Sequence, residues 1–347
     1  MNNRLRVAGF CLLTSAMLLI QSSHAIAQTA LEKPHLSIAT TNPVITYYPF
    51  EIALSKGYFK DEGLDVERSV YAGGPQTIQA LLGGSADMVV SAYSNTLTMA
   101  ARGQHIEAVV LMIKYPGFVL GITKAGMPKY KTLKDLAGMK IGVTAPGSST
   151  NMILNTIARR NGVDPKSYSV IGVGAQGTAL AAAQQGQIDA IVGLDPNITT
   201  LTNAHQLNVV ADLRNGAGTT AAVGATTYPE GSVIATADFV KKNPRTVQAV
   251  VNAMLRAEKF LHTATAEQIA DALPKSFEGT DRALYLSAIA SSRTVYSTDG
   301  RYDPAGVNAV LDVLAGSDKF IADNRSHIDV PSTYTNHFVD SAVVKAP

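Results

Sequence analysis

One short pattern occurs twice in this chain, and it constrains the fold more than any other feature. Ala80-Leu81-Leu82-Gly83-Gly84-Ser85-Ala86-Asp87-Met88-Val89-Val90 reads as a helix end, a glycine stop, an aspartate and a buried strand. Ala182-Ala183-Gln184-Gln185-Gly186-Gln187-Ile188-Asp189-Ala190-Ile191-Val192 repeats the order, with Gly84 matched by Gly186 and Asp87 by Asp189, a shift of 102 positions. Each glycine suits the left-handed residue that ends a helix. Each aspartate falls in the short turn before a continuous apolar run. Their shared place in the repeat points to a turn role rather than to a catalytic carboxylate pair.

The segments upstream repeat as well. Strands are expected at Leu36–Ala39 and Asp65–Tyr71, with helices at Pro49–Lys56 and Gln76–Leu82. The second set is a strand at Lys140–Val143, a helix ending at Gly162, a strand at Ser169–Val173 and a helix after Gly177. Ile78, Leu81 and Leu82 share one helical face, as do Ile153, Leu154, Ile157 and Ala158. Strand and helix alternating in this way make a doubly wound α/β unit with mostly parallel pairing. Two copies predict two similar lobes.

Residues 1–27 belong to another category. Arg4 and Arg6 precede an apolar run from Val7 to Ile20, followed by Ala25-Ile26-Ala27. That is the plan of a cleaved secretory signal, with cutting expected after Ala27 and a periplasmic destination. The apolar run is too short to read as a membrane span, although a retained anchor is the alternative. Cys11 lies inside this segment and is the single cysteine of the chain. Phe10 before it argues against lipid attachment. The mature chain therefore has no thiol for a disulfide, a nucleophile or a metal. The full chain carries 29 basic and 27 acidic residues, so losing Arg4 and Arg6 leaves it neutral. A neutral chain has no overall field to hold nucleic acid. Residues 28–347 exceed one comfortable core, in line with two lobes.

Phe118–Thr123 and Ser232–Ala235 read as strands that flank the second copy and cross between lobes. The lobes are accordingly expected at 35–121 plus 232–347, and at 122–231. Asn243-Pro244 reads as an N-cap followed by proline at the first helical position, and Asp303-Pro304 repeats that start signal. The helices they begin would complete the discontinuous first lobe.

In such sheets ligands bind at the loops leaving the carboxyl ends of the strands. Six loops qualify: 40–47, 72–75, 91–95, 145–150, 174–178 and 195–197. They are rich in Gly, Ser, Thr, Asn and Gln, which supply hydrogen bonds without charge. The candidates are Thr41, Asn42, Tyr47, Gly73, Gly74, Tyr93, Ser94, Asn95, Gln176 and Asp195, with Gly147, Ser148, Ser149 and Thr150 the most informative set. Glycine admits close approach there, and a helix start offers free N–H groups to an anionic group. The same hydroxyls could equally be plain helix caps. Lys114 and Tyr115 sit at a strand end, where lysine could meet an anion or remain solvated. With no tryptophan, stacking on a ligand falls to Tyr47, Tyr48, Tyr93 or Tyr115, unless these are core.

Gly172-Val173-Gly174-Ala175-Gln176-Gly177 fits the G-x-G-x-x-G dinucleotide pattern, with Asp195 beyond it. The unit stands second in its lobe and its helix is short, so the match carries little. The histidines are scattered, and no nucleophile elbow or phosphate-binding P-loop motif is present. No enzyme activity, metal or cofactor is expected.

Ala53-Leu54-Ser55-Lys56-Gly57-Tyr58-Phe59-Lys60-Asp61-Glu62-Gly63-Leu64-Asp65-Val66 matches an A-x-x-x-G-Y-F-x-x-x-G-L-x-V signature. With Ala80–Asp87, Leu133–Val143, Gly147–Thr150, Gly186–Ala190 and Phe239–Pro244, it resembles the extracytoplasmic solute-binding proteins of ABC importers, in their nitrate/sulfonate/taurine branch. The resemblance runs from about Leu36 to Leu261; the tail after Pro274 matches nothing. It implies a two-lobed type II periplasmic-binding fold that closes on a ligand by a hinge motion, then docks as a monomer on a permease driven by an ATPase. Ligands in that branch are sulfonates, nitrate, carboxylates and thiamine-type pyrimidines, and the site loops vary among them. A small organic anion is the expectation; a neutral heterocycle or a sensing role is the alternative. Thiamine-pyrimidine synthases share the fold but rely on a cysteine-rich segment that the mature chain lacks.

Overall fold

The computed structural model describes residues 30–347 except 42–44, 72–73, 176 and 279–280. The expected signal segment 1–27 lies outside the described residues, as do Asn42, Gly73 and Gln176.

In chain order come β1 (His35–Thr41), α1 (Tyr48–Ser55), β2 (Asp65–Tyr71), α2 (Gly74–Leu82), β3 (Met88–Ala92), α3 (Ser94–Ala101) and β4 (Ile106–Leu111). Next are β5 (Val119–Thr123), β6 (Lys140–Val143), α4 (Ser149–Arg160), β7 (Ser169–Gly172), α5 (Gly177–Gln184), β8 (Ala190–Gly193), α6 (Asn197–Asn203), β9 (Leu207–Asp212) and α7 (Gly216–Val223). Last are β10 (Gly231–Thr236), α8 (Pro244–Thr263), α9 (Arg282–Ser292) and α10 (Pro304–Ser317); the remaining short helices are left unlabelled.

The strands form two five-stranded sheets, ordered β2-β1-β3-β10-β4 and β7-β6-β8-β5-β9. The orders correspond position by position, so the repeat seen in the sequence extends to the topology. Within each sheet one strand is reversed: β10 runs antiparallel to β3 and β4, and β5 to β8 and β9. These are the two segments expected to cross between lobes. The expected boundary at 121/122 cuts through β5, which belongs wholly to the second sheet. The return strand already begins at Gly231.

The repeat glycines and aspartates do what their positions imply. Gly84 and Gly186 are left-handed, with φ of 74° and 68°. Asp87 Oδ2 accepts from Ser37 N at 3.0 Å, and Asp189 Oδ2 from Lys140 N at 2.9 Å. The two aspartate N–H groups return bonds to Ser37 O at 2.8 Å and Lys140 O at 2.7 Å. Each aspartate thus clips the turn before the third strand of its unit onto the start of the first. A lysine closes each clip: Lys33 at Asp87, and Lys129 at Asp189, where the distance is 2.8 Å.

Asn243 does not cap α8 as expected. Its amide donates backwards to Phe239 O at 3.0 Å. The first N–H groups of α8 go to the Glu32 carboxylate, from Arg245 N at 3.2 Å and Thr246 N at 2.9 Å. Burial alone would raise the Glu32 pKa; the Thr246 and Arg245 hydrogen bonds outweigh it and bring it down to about 2. Asp303 does cap α10, accepting from Ala305 N at 3.2 Å.

One core fills the space between the first sheet, α1 and α8, burying Phe50, Ile52, Val90, Val110, Val250 and Met254. Another runs continuously from Val89 and Leu97 on the first-sheet side to Val143, Ile153 and Leu154 on the second, and takes in Val307 and Val310 of α10. Helix α10 packs on both α3 and α4. It therefore bridges the two halves instead of serving the first alone.

Candidate functional site

A cleft of about 690 Å³ opens between the carboxyl ends of the two sheets, within the usual range for small-molecule sites. The first-sheet side contributes Thr41, Tyr47, Gly74, Ser94 and Asn95; the second contributes Gly147, Ser148, Ser149 and Thr150. These sequence-predicted residues are therefore brought together. Gly174, Ala175 and Thr178 extend the second wall around the start of α5.

The second wall is organised by hydroxyls. Thr144 Oγ1 lies 2.9 Å from both Ser148 Oγ and Thr150 Oγ1, and Ser148 Oγ lies 2.8 Å from Thr150 Oγ1. Ser148 also caps α4 by accepting from Asn151 N at 3.5 Å. Asn151 Oδ1 accepts from Gly147 N at 2.9 Å, and Gly147 is left-handed at φ 79°. Capping and hydroxyl pairing thus occupy Ser148 and Thr150. Ser149 and Thr150, in the first turn, line the cleft, and first-turn N–H groups have no partner within a helix and lie at its positive dipole end. On the first wall Asn95 Nδ2 donates to Ser91 Oγ at 2.9 Å, and Thr77 Oγ1 donates to Gly74 O at 2.7 Å.

Four expected residues are not among those lining the cleft. Tyr93 is fully buried, its ring packed on Tyr302 and Tyr334 at 5.3 and 6.4 Å and its hydroxyl bonded to Thr333. It is core because α3 begins directly after it and turns the ring inward. Asp195, only 3 % exposed, is held by Arg214 Nη1 at 3.0 Å, Ser292 Oγ at 2.8 Å and Thr199 N at 2.9 Å. Its acceptors are spent on the scaffold. Lys114 and Tyr115 sit on the link between β4 and β5, where Lys114 N donates to Val295 O and Lys114 O accepts from Tyr228 N, both at 2.9 Å. The ammonium lies 5.2 Å over the Tyr115 ring.

Sequence reasoning missed Glu230, which lines the cleft and is 8 % exposed. Its Oε2 has no hydrogen-bond partner. Burial pushes its pKa up, the Ser149 hydroxyl pulling the other way, to about 7. Burial, then the Glu230 carboxyl, push the Tyr47 hydroxyl well above its ordinary value against a hydrogen bond with Thr41. A lone charged residue, in Tyr228-Pro229-Glu230 before the return strand, was the available signal. Phe118, Met152, Leu194 and Leu314 supply apolar wall and were also missed; Leu314 comes from α10, where the sequence carried no motif. Among the described residues, no lysine, arginine or histidine lines the cleft.

A family model described as NMT1/THI5 like matches residues 45–267, a span that includes every strand except β1 and most of the residues lining this cleft. The chain belongs to the NMT1/THI5-like family. A solved protein of Bordetella bronchiseptica RB50 is 39% identical, with a TM-score of 0.80, covering 90% of this chain and 98% of its own. The alkanesulfonate-binding protein SsuA from Xanthomonas axonopodis pv. citri, solved with MOPS bound, superposes with a TM-score of 0.67 at 18% identity, over 88% of this chain and 100% of its own. At that identity the likeness shows the periplasmic-binding-protein fold alone. The 4-amino-5-hydroxymethyl-2-methylpyrimidine phosphate synthase THI13 of Saccharomyces cerevisiae is 25% identical over 224 residues, 63% of this chain and 64% of the synthase. The names printed for these similar proteins thus include both a binding protein and a synthase.

Proposed function

We propose that this protein is the extracytoplasmic solute-binding component of an ABC importer, capturing a small neutral heterocycle between its two sheets. The observation that carries the reading is a cleft walled by strand-end loops of both sheets, without a basic side chain among the described residues and with a buried carboxyl. An organic anion would find no side-chain cation among the described lining residues and would push further up a Glu230 carboxyl that burial already raises to about 7. Each sheet with its helices forms a lobe, and the links at 112–118 and 224–230 form the hinge. Removal of residues 1–27 would release the protein to the periplasm, where the closed monomer meets a permease and its ATPase. SsuA supports a binding role on this fold, and the synthase relative supports a pyrimidine-sized ring. Capture without turnover fits a mature chain that lacks cysteine.

The start of α4 favours a second reading, capture of a sulfonate or carboxylate. Its first-turn N–H groups and dipole are worth roughly 0.3–1 kcal/mol, and up to about 2 when partly buried. Thermal unfolding with sulfonates, carboxylates, nitrate and pyrimidines decides between them. Ligand at a hundred times its Kd adds about 2.7 kcal/mol to stability. Pyrimidines are expected to raise the midpoint. A rise with anions alone supports the second reading, and turnover of any ligand overturns the binding-protein assignment.

A further inference from the structure

Asp195 and Arg214 stand in the second half of the molecule, just after β8 and β9. Asp195 Oδ1 accepts from Thr199 N at 2.9 Å and Thr199 Oγ1 at 2.6 Å, which ties it to α6. Arg214 Nη1 donates to Asp195 Oδ2 at 3.0 Å, and the same guanidinium holds Asp212. All of these bonds lie within one half. Two others cross to the other half: Ser292 Oγ donates to Asp195 Oδ2 at 2.8 Å, and Thr294 Oγ1 donates to Arg214 O at 2.6 Å.

Ser292 and Thr294 are anchored on the first-sheet side. Ala288, Ile289, Val295 and Tyr296 are buried in the first-sheet core, and the Tyr296 hydroxyl donates to Ile45 O at 2.9 Å. Val295 O accepts from Lys114 N at 2.9 Å and Ser297 N donates to Met112 O at 2.7 Å, both on the link at 112–118. The junction thus stands beside a link, where a change in the angle between the halves is felt directly. A hydrogen bond of this length is gone by about 3.6 Å. It also stands behind the cleft. Leu194, immediately before Asp195, lines the cleft, and Asn197 Nδ2 donates at 3.2 Å to the carbonyl of Ala175, another lining residue. Opening the junction strands no buried charge, because Arg214 stays with Asp195; it exchanges two hydroxyl donors for water. A contact of that kind biases an equilibrium between two arrangements without locking it.

We propose that Ser292 and Thr294 form a latch that favours the closed arrangement of the two halves, which makes them positioning residues for ligand capture although neither lines the cleft. This rests on the solute-binding reading above. Ser292 supplies the larger share, because its hydroxyl is buried and bonds a carboxylate, whereas Thr294 is exposed and bonds a carbonyl. A ligand that needs both walls loses affinity by the factor by which the closed population falls.

The experiment measures distances by electron–electron double resonance between nitroxide labels at Gln79→Cys on α2 and Gln184→Cys on α5. Both positions are exposed, and their helices start at opposite walls of the cleft. Cys11→Ser removes the single native thiol. Ser292→Ala is expected to raise the ratio of long to short distances about tenfold, and Thr294→Val about threefold. Ser291→Ala, which loses only a bond to Ser287 O in its own helix, is expected to leave the ratio unchanged. Unfolding midpoints of the variants separate the latch from a merely structural role, which lowers the midpoint and leaves the distances alone. Distances that move with a sulfonate, carboxylate, nitrate or pyrimidine but not with Ser292→Ala overturn the inference and leave the solute-binding reading standing. An equal shift in Ser291→Ala does the same. Distances that respond to no variant and to none of these ligands overturn both.

Discussion

Glu258 of α8 is almost wholly buried, and neither carboxyl oxygen has a hydrogen-bond partner. Burial, then the charge of Asp299, push its pKa well above 4.5. The folded chain therefore holds a proton that the unfolded chain releases near 4.5. Between 4.5 and the folded pKa the native state binds more protons, so stability falls as pH rises. Glu230 acts in the same direction and stops contributing to the slope above about 7. Glu258→Gln is expected to match wild type near pH 4.5 and to exceed it by roughly 1–3 kcal/mol at pH 8. Urea unfolding at the two pH values checks this; equal gains at both would mean that the gain is not ionic. The composition of α8 does not reveal this group, because an acidic residue on an amphipathic helix ordinarily faces water.

At the scale of elements, local signals and remote ones separate cleanly. The strands at Asp65–Tyr71 and Lys140–Val143 are found where the sequence places them, each shortly after a left-handed glycine, Gly63 and Gly138. The start of α4 is equally local: Ser148 and its neighbours lie within six residues of Thr144. Ser148→Ala is expected to cost about 1 kcal/mol, lowering the melting midpoint by a few degrees. Ser149 is not the cap, so Ser149→Ala should leave that midpoint nearly unchanged; calorimetric melting compares the two. The start of α8 could not be read this way. Its capping carboxylate comes from Glu32, far away in the chain, and proximity in sequence pointed to Asn243 instead.

At the scale of the molecule, the Asp195 junction and α10 join parts that the repeat treats as separate. Asp195 follows β8 of the second sheet, and Ser292 ends α9 on the C-terminal side. Arg214 ties Asp195 to Asp212, with Nη2 to Asp212 Oδ2 at 2.6 Å, and its carbonyl accepts from Thr294 Oγ1, also at 2.6 Å. Removing one member of a buried pair costs about 3–5 kcal/mol. Asp195→Ala is expected near the lower end because Arg214 keeps Asp212. A lower urea midpoint at unchanged slope checks it.

What the sequence alone determined is the doubly wound unit, its duplication and the loops at its strand ends. All of these follow from hydrophobic period and glycine punctuation over a few tens of residues. The tertiary structure decided which of those loop residues face one another. It turned Tyr93 and Asp195 into scaffold, brought Leu314 to the cleft from the unmatched tail, and left Glu230 buried at its floor. The physical reason is one of range. Periodicity reports a residue's own element, whereas desolvation and pairing depend on whichever distant element packs against it.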